Sequence, residues 1–374
     1  GGALYLTWLR RGNPDADMFC RIPAGGTCTS PHRLALPGST PEDGTDQPFP
    51  VVAPNGAVYV VAGRFIRDDV VVWASTNAGT SFGAPMVVPS GSFTSMTDVG
   101  DVVLSRSTYA GESGGANNSF LIATDHVGLG FGLVGASQTS GTTSFTFPGS
   151  KGFDLSDVDA TSLALDAQGD PVESFDLRTV PRIGFYRYSG SGPITSASSW
   201  DGPTLVTDGY VARLAGGPTG LFLLSQDRPT IGSGQLEVDI RKYDPATESF
   251  GAPKTLAQVP TSTEYDGGAL YEDPVTGEVV VEWPGDAAAG PAGGAVWTSS
   301  DGGSVWSGPI SLSGSSPIVS GPIALENPPA GYAPLDNSRL VLTTTGQAFV
   351  TYRDADGLEL AKLGKIGTSA PKNR

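Results

Sequence analysis

"SSDGGSVW" at residues 299–306 runs into "SGP", and "STNAGTSF" at residues 75–82 runs into "GAP". The two octets share one frame: Ser299, Asp301, Gly303 and Trp306 in the first, Ser75, Asn77, Gly79 and Phe82 in the second. Each residue type has a local reason. An Asp or Asn side chain accepts hydrogen bonds from backbone N–H groups of its own turn. Glycine tolerates a positive φ. The aromatic ring covers the hairpin. The frame therefore predicts a tight turn between two strands, with a weaker echo in "KYDPATESF" at 242–250.

Around these turns the chain repeats. A Gly-containing turn followed by a β-rich run occurs at Gly2, Gly56, Gly100, Gly169, Gly220, Gly277 and Gly346, at intervals of 54, 44, 69, 51, 57 and 69 residues. A second element pairs an aromatic with a small residue, a Pro and an apolar strand: "SFGAPMVV" (81–88), "SWDGPTLV" (199–206), "SFGAPKTL" (249–256) and "VWSGPISL" (305–312). "TCTSPHRL" (27–34) fits the same slot with Cys28 at the aromatic position; the third unit has a blurred copy and the seventh shows none. Repeats near 50 residues built from short strands are the signature of a β-propeller. The expected fold is thus all-β, with four-stranded antiparallel blades named A to D from the axis outward. Seven units are expected, or six with spare strands. By this register the first unit lacks strand A and the last lacks strand D. Residues 1–366 read as one propeller and 367–374 as a tail or linker.

The bulk numbers agree with that class. The 374 residues include 52 Gly and 30 Pro, and no long helical periodicity interrupts the strand-and-turn pattern. A net charge of −16 disfavours nucleic acid or an anionic membrane surface as partner. No apolar run approaches the ~20 residues of a membrane helix. The chain has no recognisable signal segment and reads as a mature form or as part of a longer chain. Cys20 and Cys28 are the only cysteines, and His32 and His126 the only histidines, so a Cys/His zinc site is not expected. The eight-residue spacing across a turn suits a local disulfide, which implies an oxidising compartment; two buried thiols are the alternative.

The frame Ser-x-Asp-x-Gly-x-x-Trp resembles the Asp box of the sialidase-like (BNR-repeat) β-propellers, matched at all four positions by 299–306 and with two substitutions by 75–82. In that superfamily the box sits on the C–D turn, and ligand sites lie on the opposite face, built from D–A and B–C loops. The resemblance therefore makes the octets structural and directs the search to the other face. The B–C loops expected there are 10–17, 64–69, 106–118, 176–182, 225–234, 284–294 and 353–356. They carry Arg64, Arg106, Arg182 and Arg228, and Arg213 and Arg339 lie on or beside inner strands. An arginine cluster matches a ligand carboxylate.

Two functions follow from the resemblance. The first is a secreted or cell-surface scaffold that binds a glycan or a protein on the D–A/B–C face. The alternative is an exo-α-sialidase-type hydrolase, with Tyr265 as nucleophile, Glu264 activating it and Asp46 as acid/base; sialidases are the tyrosine exception among glycosidases. No cofactor or metal is expected, a calcium on the box aspartate being the one alternative. Two lookalikes are set aside. Arg21 in "CRIP" lies on a C strand, away from the ligand face. "GESGG" at 111–115 lacks the strand-turn-helix setting of a serine nucleophile.

Overall fold

Val, Tyr, Phe, Trp and Ile in short runs between Gly- and Pro-rich turns form twenty-eight strands among the described residues of a computed structural model of the chain. It describes residues 3–10, 16–24, 26–36, 48–53, 56–64, 69–88, 98–104, 119–126, 130–138, 145–153, 155, 158–177, 180–194, 196–228, 234–260, 268–273, 276–283, 295–311, 323–325, 340–342, 347–354 and 357–365.

The strands run in chain order through the sheets. β1 (Leu4–Arg10), β2 (Ala16–Ile22) and β3 (His32–Leu34) open the ring. β4 (Phe49–Val52), β5 (Val58–Arg64), β6 (Asp69–Ser75) and β7 (Met86–Val88) follow. Next come β8 (Asp98–Leu104), β9 (Ser119–His126), β10 (Gly130–Gln138) and β11 (Phe145–Phe153). The fourth sheet holds β12 (Val158–Leu165), β13 (Pro171–Leu177), β14 (Arg182–Tyr188) and β15 (Trp200–Thr207). The fifth holds β16 (Gly209–Gly217), β17 (Gly220–Asp227), β18 (Gln235–Asp244), β19 (Ser249–Phe250) and β20 (Lys254–Pro260). The sixth holds β21 (Ala269–Glu272), β22 (Val279–Trp283), β23 (Ala295–Ser299) and β24 (Ser307–Ser311). β25 (Ile323–Leu325) joins the first sheet, and the last holds β26 (Leu340–Leu342), β27 (Gln347–Asp354) and β28 (Gly357–Lys365).

Among the described residues the pairings are antiparallel, and the A strands β4, β8, β12, β16, β21, β26 and β25 lie against one another from sheet to sheet. The antiparallel β-propeller is thereby established. The expectation of seven, or six, four-stranded blades is corrected: among the described residues five sheets are four-stranded, the fifth sheet of the chain carries an extra strand, and the last has three. The cause of the irregularity is local. β18 is ten residues long, so its outer edge pairs with both β19 and β20.

Ring closure also departs from the sequence reading. The first sheet does not lack its A strand. β25 supplies it from the far end of the chain, pairing Leu4 with Leu325 and Leu6 with Ile323. A second correction concerns the third unit. Residues 98–104 form its A strand, not its B strand, so Gly100 is not a turn glycine. It exists for close approach: a Cβ there would lie 2.0 Å from Thr161 Oγ1 on the neighbouring A strand. Arg106, expected on a B–C loop, lies outside the described residues. By contrast, Gly56, Gly169 and Gly277 sit at positive φ in A–B turns, as their spacing predicts.

The octets lock blade to blade. Ser299 Oγ donates to Asp301 Oδ1 (2.8 Å) and accepts from Gly303 N (2.9 Å), while Asp301 Oδ1 also accepts from Ser304 N and Val305 N. Those backbone donors, Val305 foremost, hold the exposed Asp301 carboxyl below its ordinary range. Ser75, Asn77 and Gly79 repeat the pattern, with Gly79 N bonded to Ser75 Oγ at 2.9 Å. Gly303 sits so close to Phe222 of the preceding sheet that a Cβ would stand 2.7 Å from its ring, and Gly79 meets Phe19 of its preceding sheet at 2.6 Å. Lys242 Nζ bonds Gly302 O (3.0 Å) and lies over the Phe222 ring.

The Cys20–Cys28 disulfide forms, clamping β2 to the turn that follows it. Closing a loop of this size contributes about 2–3 kcal/mol in the chain-entropy account. Reduction, or the Cys20→Ser/Cys28→Ser pair, is expected to lower the urea midpoint accordingly. An unchanged midpoint would show that the first sheet does not need its clamp.

Candidate functional site

The D–A and B–C connections share one face of the ring, opposite the C–D octets, because alternate turns of a meander fall on opposite sides. At that front face, three successive A strands are irregular at their leading ends. The register shifts at Val99/Asp101 in β8, at Val158/Ala160 in β12 and at Tyr210/Arg213 in β16. Bulges concentrate beside functional sites, where they re-aim side chains. In β16 the bulge holds Val211 at φ +55, a costly conformation for a β-branched residue. It persists because Val211 N donates to Asp176 Oδ2 (2.7 Å) of buried β13.

Behind the bulges runs a polar relay across the same three strands. Asp101 is buried, and its carboxylate accepts from Val102 N (2.8 Å), Leu163 N (2.9 Å) and Ser162 Oγ (2.9 Å). Ser162 Oγ in turn accepts from Leu214 N (3.0 Å). Burial pushes the Asp101 carboxyl up to about 6, against those hydrogen bonds and the charge of Arg213. Arg213 follows the β16 bulge and is half-buried, and its charge lowers the Asp101 carboxyl slightly.

Arg64, Arg182 and Arg228 have local partners. Arg64, at the end of β5, is buried and forks onto Asp69 of β6 (Nε–Oδ1 2.5 Å). Arg182 faces Asp208 at 3.7 Å, both exposed, which contributes little to stability. The Arg228 guanidinium lies 5.6 Å from the Tyr210 ring centroid, and its backbone N–H donates to Asp208 O. So the structure brings Arg182, Arg213 and Arg228 to the front of the fourth and fifth sheets, and places Arg64 on the second sheet within its own hairpin. Arg339, Asp46, Glu264 and Tyr265 lie outside the described residues.

The sequence reading missed two groups. One is the Asp101–Ser162 relay. The other is Arg241, which bonds Ser225 Oγ (2.8 Å) and Asp227 within the fifth sheet, with Asp239 Oδ2 4.0 Å away. Thr207 Oγ1 of the fourth sheet also donates to Asp227 (2.8 Å). Burial first, and then Asp227, push Asp239 up to about 6, opposed by Thr255 and Arg241. The only sequence signal was a polar residue inside each apolar strand. Among the described residues no cluster of three or more His, Cys, Asp or Glu could hold a metal ion, and no helix is long and apolar enough to cross a membrane.

Whole-fold comparison places this ring among known propellers. It is similar to the Penicillium chrysogenum α-L-arabinanase complexed with arabinobiose, at 10% identity, with 86% of this chain and 93% of that one covered and a TM-score of 0.51. The fold shared with it is the β-propeller. A Hadza microbial sialidase (13% identity, 94% and 74% covered, TM-score 0.46) is a more distant likeness. So is the Fusarium graminearum GH93 α-L-arabinofuranosidase complexed with arabinobiose (10%, 85% and 93%, 0.48). No family model and no curated protein matches the propeller's sequence. At these identities the likeness concerns architecture, and architecture alone does not specify function.

Proposed function

We propose that this propeller is an extracellular carbohydrate-binding scaffold that holds a glycan on its front face, at the leading ends of β8, β12 and β16. The observation that carries the reading is the row of three bulged A strands at one place, with Val211 held in a strained conformation by Asp176 and the half-buried Arg213 following the same bulge. Strain maintained by surrounding bonds is a pointer to function. Carbohydrate is favoured as ligand because the likeness with a TM-score above 0.5 is to an enzyme complexed with arabinobiose. The disulfide supports an oxidising location, and the two octets are read as Asp boxes that brace the back.

A binding role is preferred to sialidase-type hydrolysis because Arg64 and Arg182 are engaged by Asp69 and Asp208 of their own neighbourhoods. The test is a glycan array probed with labelled protein, followed by titration of any retained glycan. Arg213→Ala is expected to weaken binding about 10- to 100-fold, the range for losing one charge-assisted hydrogen bond. Asp301→Ala on the back should leave affinity unchanged. Release of sialic acid from a fluorogenic substrate, abolished by Tyr265→Phe, would replace the scaffold with the hydrolase.

A further inference from the structure

Buried charge gathers on one face of the fifth sheet. Pairing of β17 with β18 sets Leu223 opposite Arg241, Ser225 opposite Asp239 and Asp227 opposite Glu237, so the six side chains share that face. Leu223 packs into the core shared with the fourth sheet, which makes the face the seam between the two sheets. Ser225, Asp227, Asp239 and Arg241 are all buried there.

Two buried acids compete for one guanidinium. Arg241 forks onto Asp227, through Nη1 at 3.2 Å and through Nη2, and Nη1 also donates to Ser225 Oγ at 2.8 Å. Ser225 Oγ donates to Asp227 Oδ1 at 2.6 Å, and Thr207 Oγ1 of the fourth sheet donates to Asp227 Oδ2 at 2.8 Å. Asp239 has the poorer share. Its Oδ2 lies 4.0 Å from Arg241 Nη2, and its buried Oδ1 has no hydrogen-bond partner among the described residues.

The charged groups on the bordering strands are engaged or turned elsewhere. Half-buried Glu237 accepts from Gln258 Nε2 of β20 at 3.3 Å. β20 sets Thr255 opposite Asp239 and leaves Lys254 exposed. On the side of the fourth sheet, Arg182 and Asp208 pair at the exposed surface, and Arg228 lies over Tyr210. Arg213 of β16 stands opposite Leu224, whose side chain belongs to the core on the other face. A buried carboxylate without its own counter-charge is costly, and two carboxylates in one site favour keeping a proton between them.

We propose that this cluster is a proton-operated catch: with one proton between Asp227 and Asp239 the seam of the fourth and fifth sheets is closed through Thr207, and loss of that proton leaves a buried negative charge that loosens the seam at the front face. Burial raises the Asp239 carboxyl from 3.8 to about 6, with Asp227 adding to the rise and Thr255 and Arg241 opposing it. The folded value lies above the unfolded one, so closure is complete below about pH 4 and is lost as pH rises through about 6. The catch is independent of the ligand reading, because it concerns how two sheets are joined.

Hydrogen exchange of the full chain at pH 5 and pH 8 tests it, expressed as protection relative to an unstructured peptide at the same pH. In the wild type, protection of 202–210 and 223–228 is expected to fall about tenfold or more from pH 5 to pH 8. Asp239→Asn, which has the shape of the protonated acid, should keep the pH 5 protection at both values. Thr207→Val retains every charge and cuts the tie to the fourth sheet, so 202–210 should be weakly protected at both values. Asp101→Asn should leave the fall in place, which separates the catch from the other raised carboxyl. Equal wild-type protection at the two pH values overturns the proposal. So does a fall that persists in Asp239→Asn, or one that persists at 202–210 in Thr207→Val. Unchanged protection at β5 in the variants shows that they have folded.

Discussion

Gly216→Ala is expected to destabilise the propeller by about 3 kcal/mol, the upper part of the range for overpacking a core. The added Cβ would stand 1.9 Å from Leu165 O, a backbone atom of the neighbouring A strand. No rotamer change relieves that contact; β12 and β16 must separate, and the contact between their sheets opens with them. Gly56→Ala provides the control. Gly56 also has a special backbone, φ +81, but nothing lies within 4 Å of the position its added methyl would take. It should cost only about 1–2 kcal/mol of left-handed strain. Urea unfolding followed by tryptophan fluorescence ranks the two. A smaller loss at Gly216 than at Gly56 would mean that the A strands are not packed as described.

The second large effect is on pH dependence. The folded-state pKa of Asp101 is pushed from 3.8 up to about 6 by burial. Folding therefore takes up a proton between those values. By linkage, the resulting stability is fully present below about pH 4 and is lost as pH rises through 6. A two-unit shift corresponds to about 3 kcal/mol. Asp239, raised in the same direction, adds to the slope. Unfolding free energy measured from pH 4 to pH 8 should fall with this sign, and Asp101→Asn should remove about one proton's share of the slope. The asparagine also turns an N–H₂ toward a site where Val102 N, Leu163 N and Ser162 Oγ all donate, so it should cost about 1–3 kcal/mol at neutral pH as well. A pH profile identical to wild type would exclude the buried carboxyl as the source.

What the sequence revealed and what it hid divide along contact distance. The frame at 299–306 is legible because the hydrogen bonds of its Ser and Asp side chains close within four residues, from Ser299 to Gly303 and from Asp301 to Val305. The disulfide is legible for the same reason, its partners lying eight positions apart. Gly100 misled because a glycine required by a distant neighbour looks the same as one required by a turn; Thr161 lies on the next sheet. β25 was missed since its three residues carry no pattern of their own and acquire a role only against Leu4–Leu6, at the opposite end of the chain. The relay was invisible likewise: Asp101 and Ser162 are 61 positions apart, and Ser162 and Leu214 are 52. Arg64 and Arg182 were named from the sequence. Their partners, Asp69 for Arg64 and Asp208 for Arg182, were decided by geometry.

The central claim is that ligand binds where the three A strands are bulged. Hydrogen exchange of the whole protein, with and without a glycan retained on the array, tests it directly. The account predicts slowed exchange in peptides covering 98–103 and 209–214, with the octets at 75–82 and 299–306 unaffected. Slowed exchange at the octets, with none at the front of β8 and β16, would contradict it.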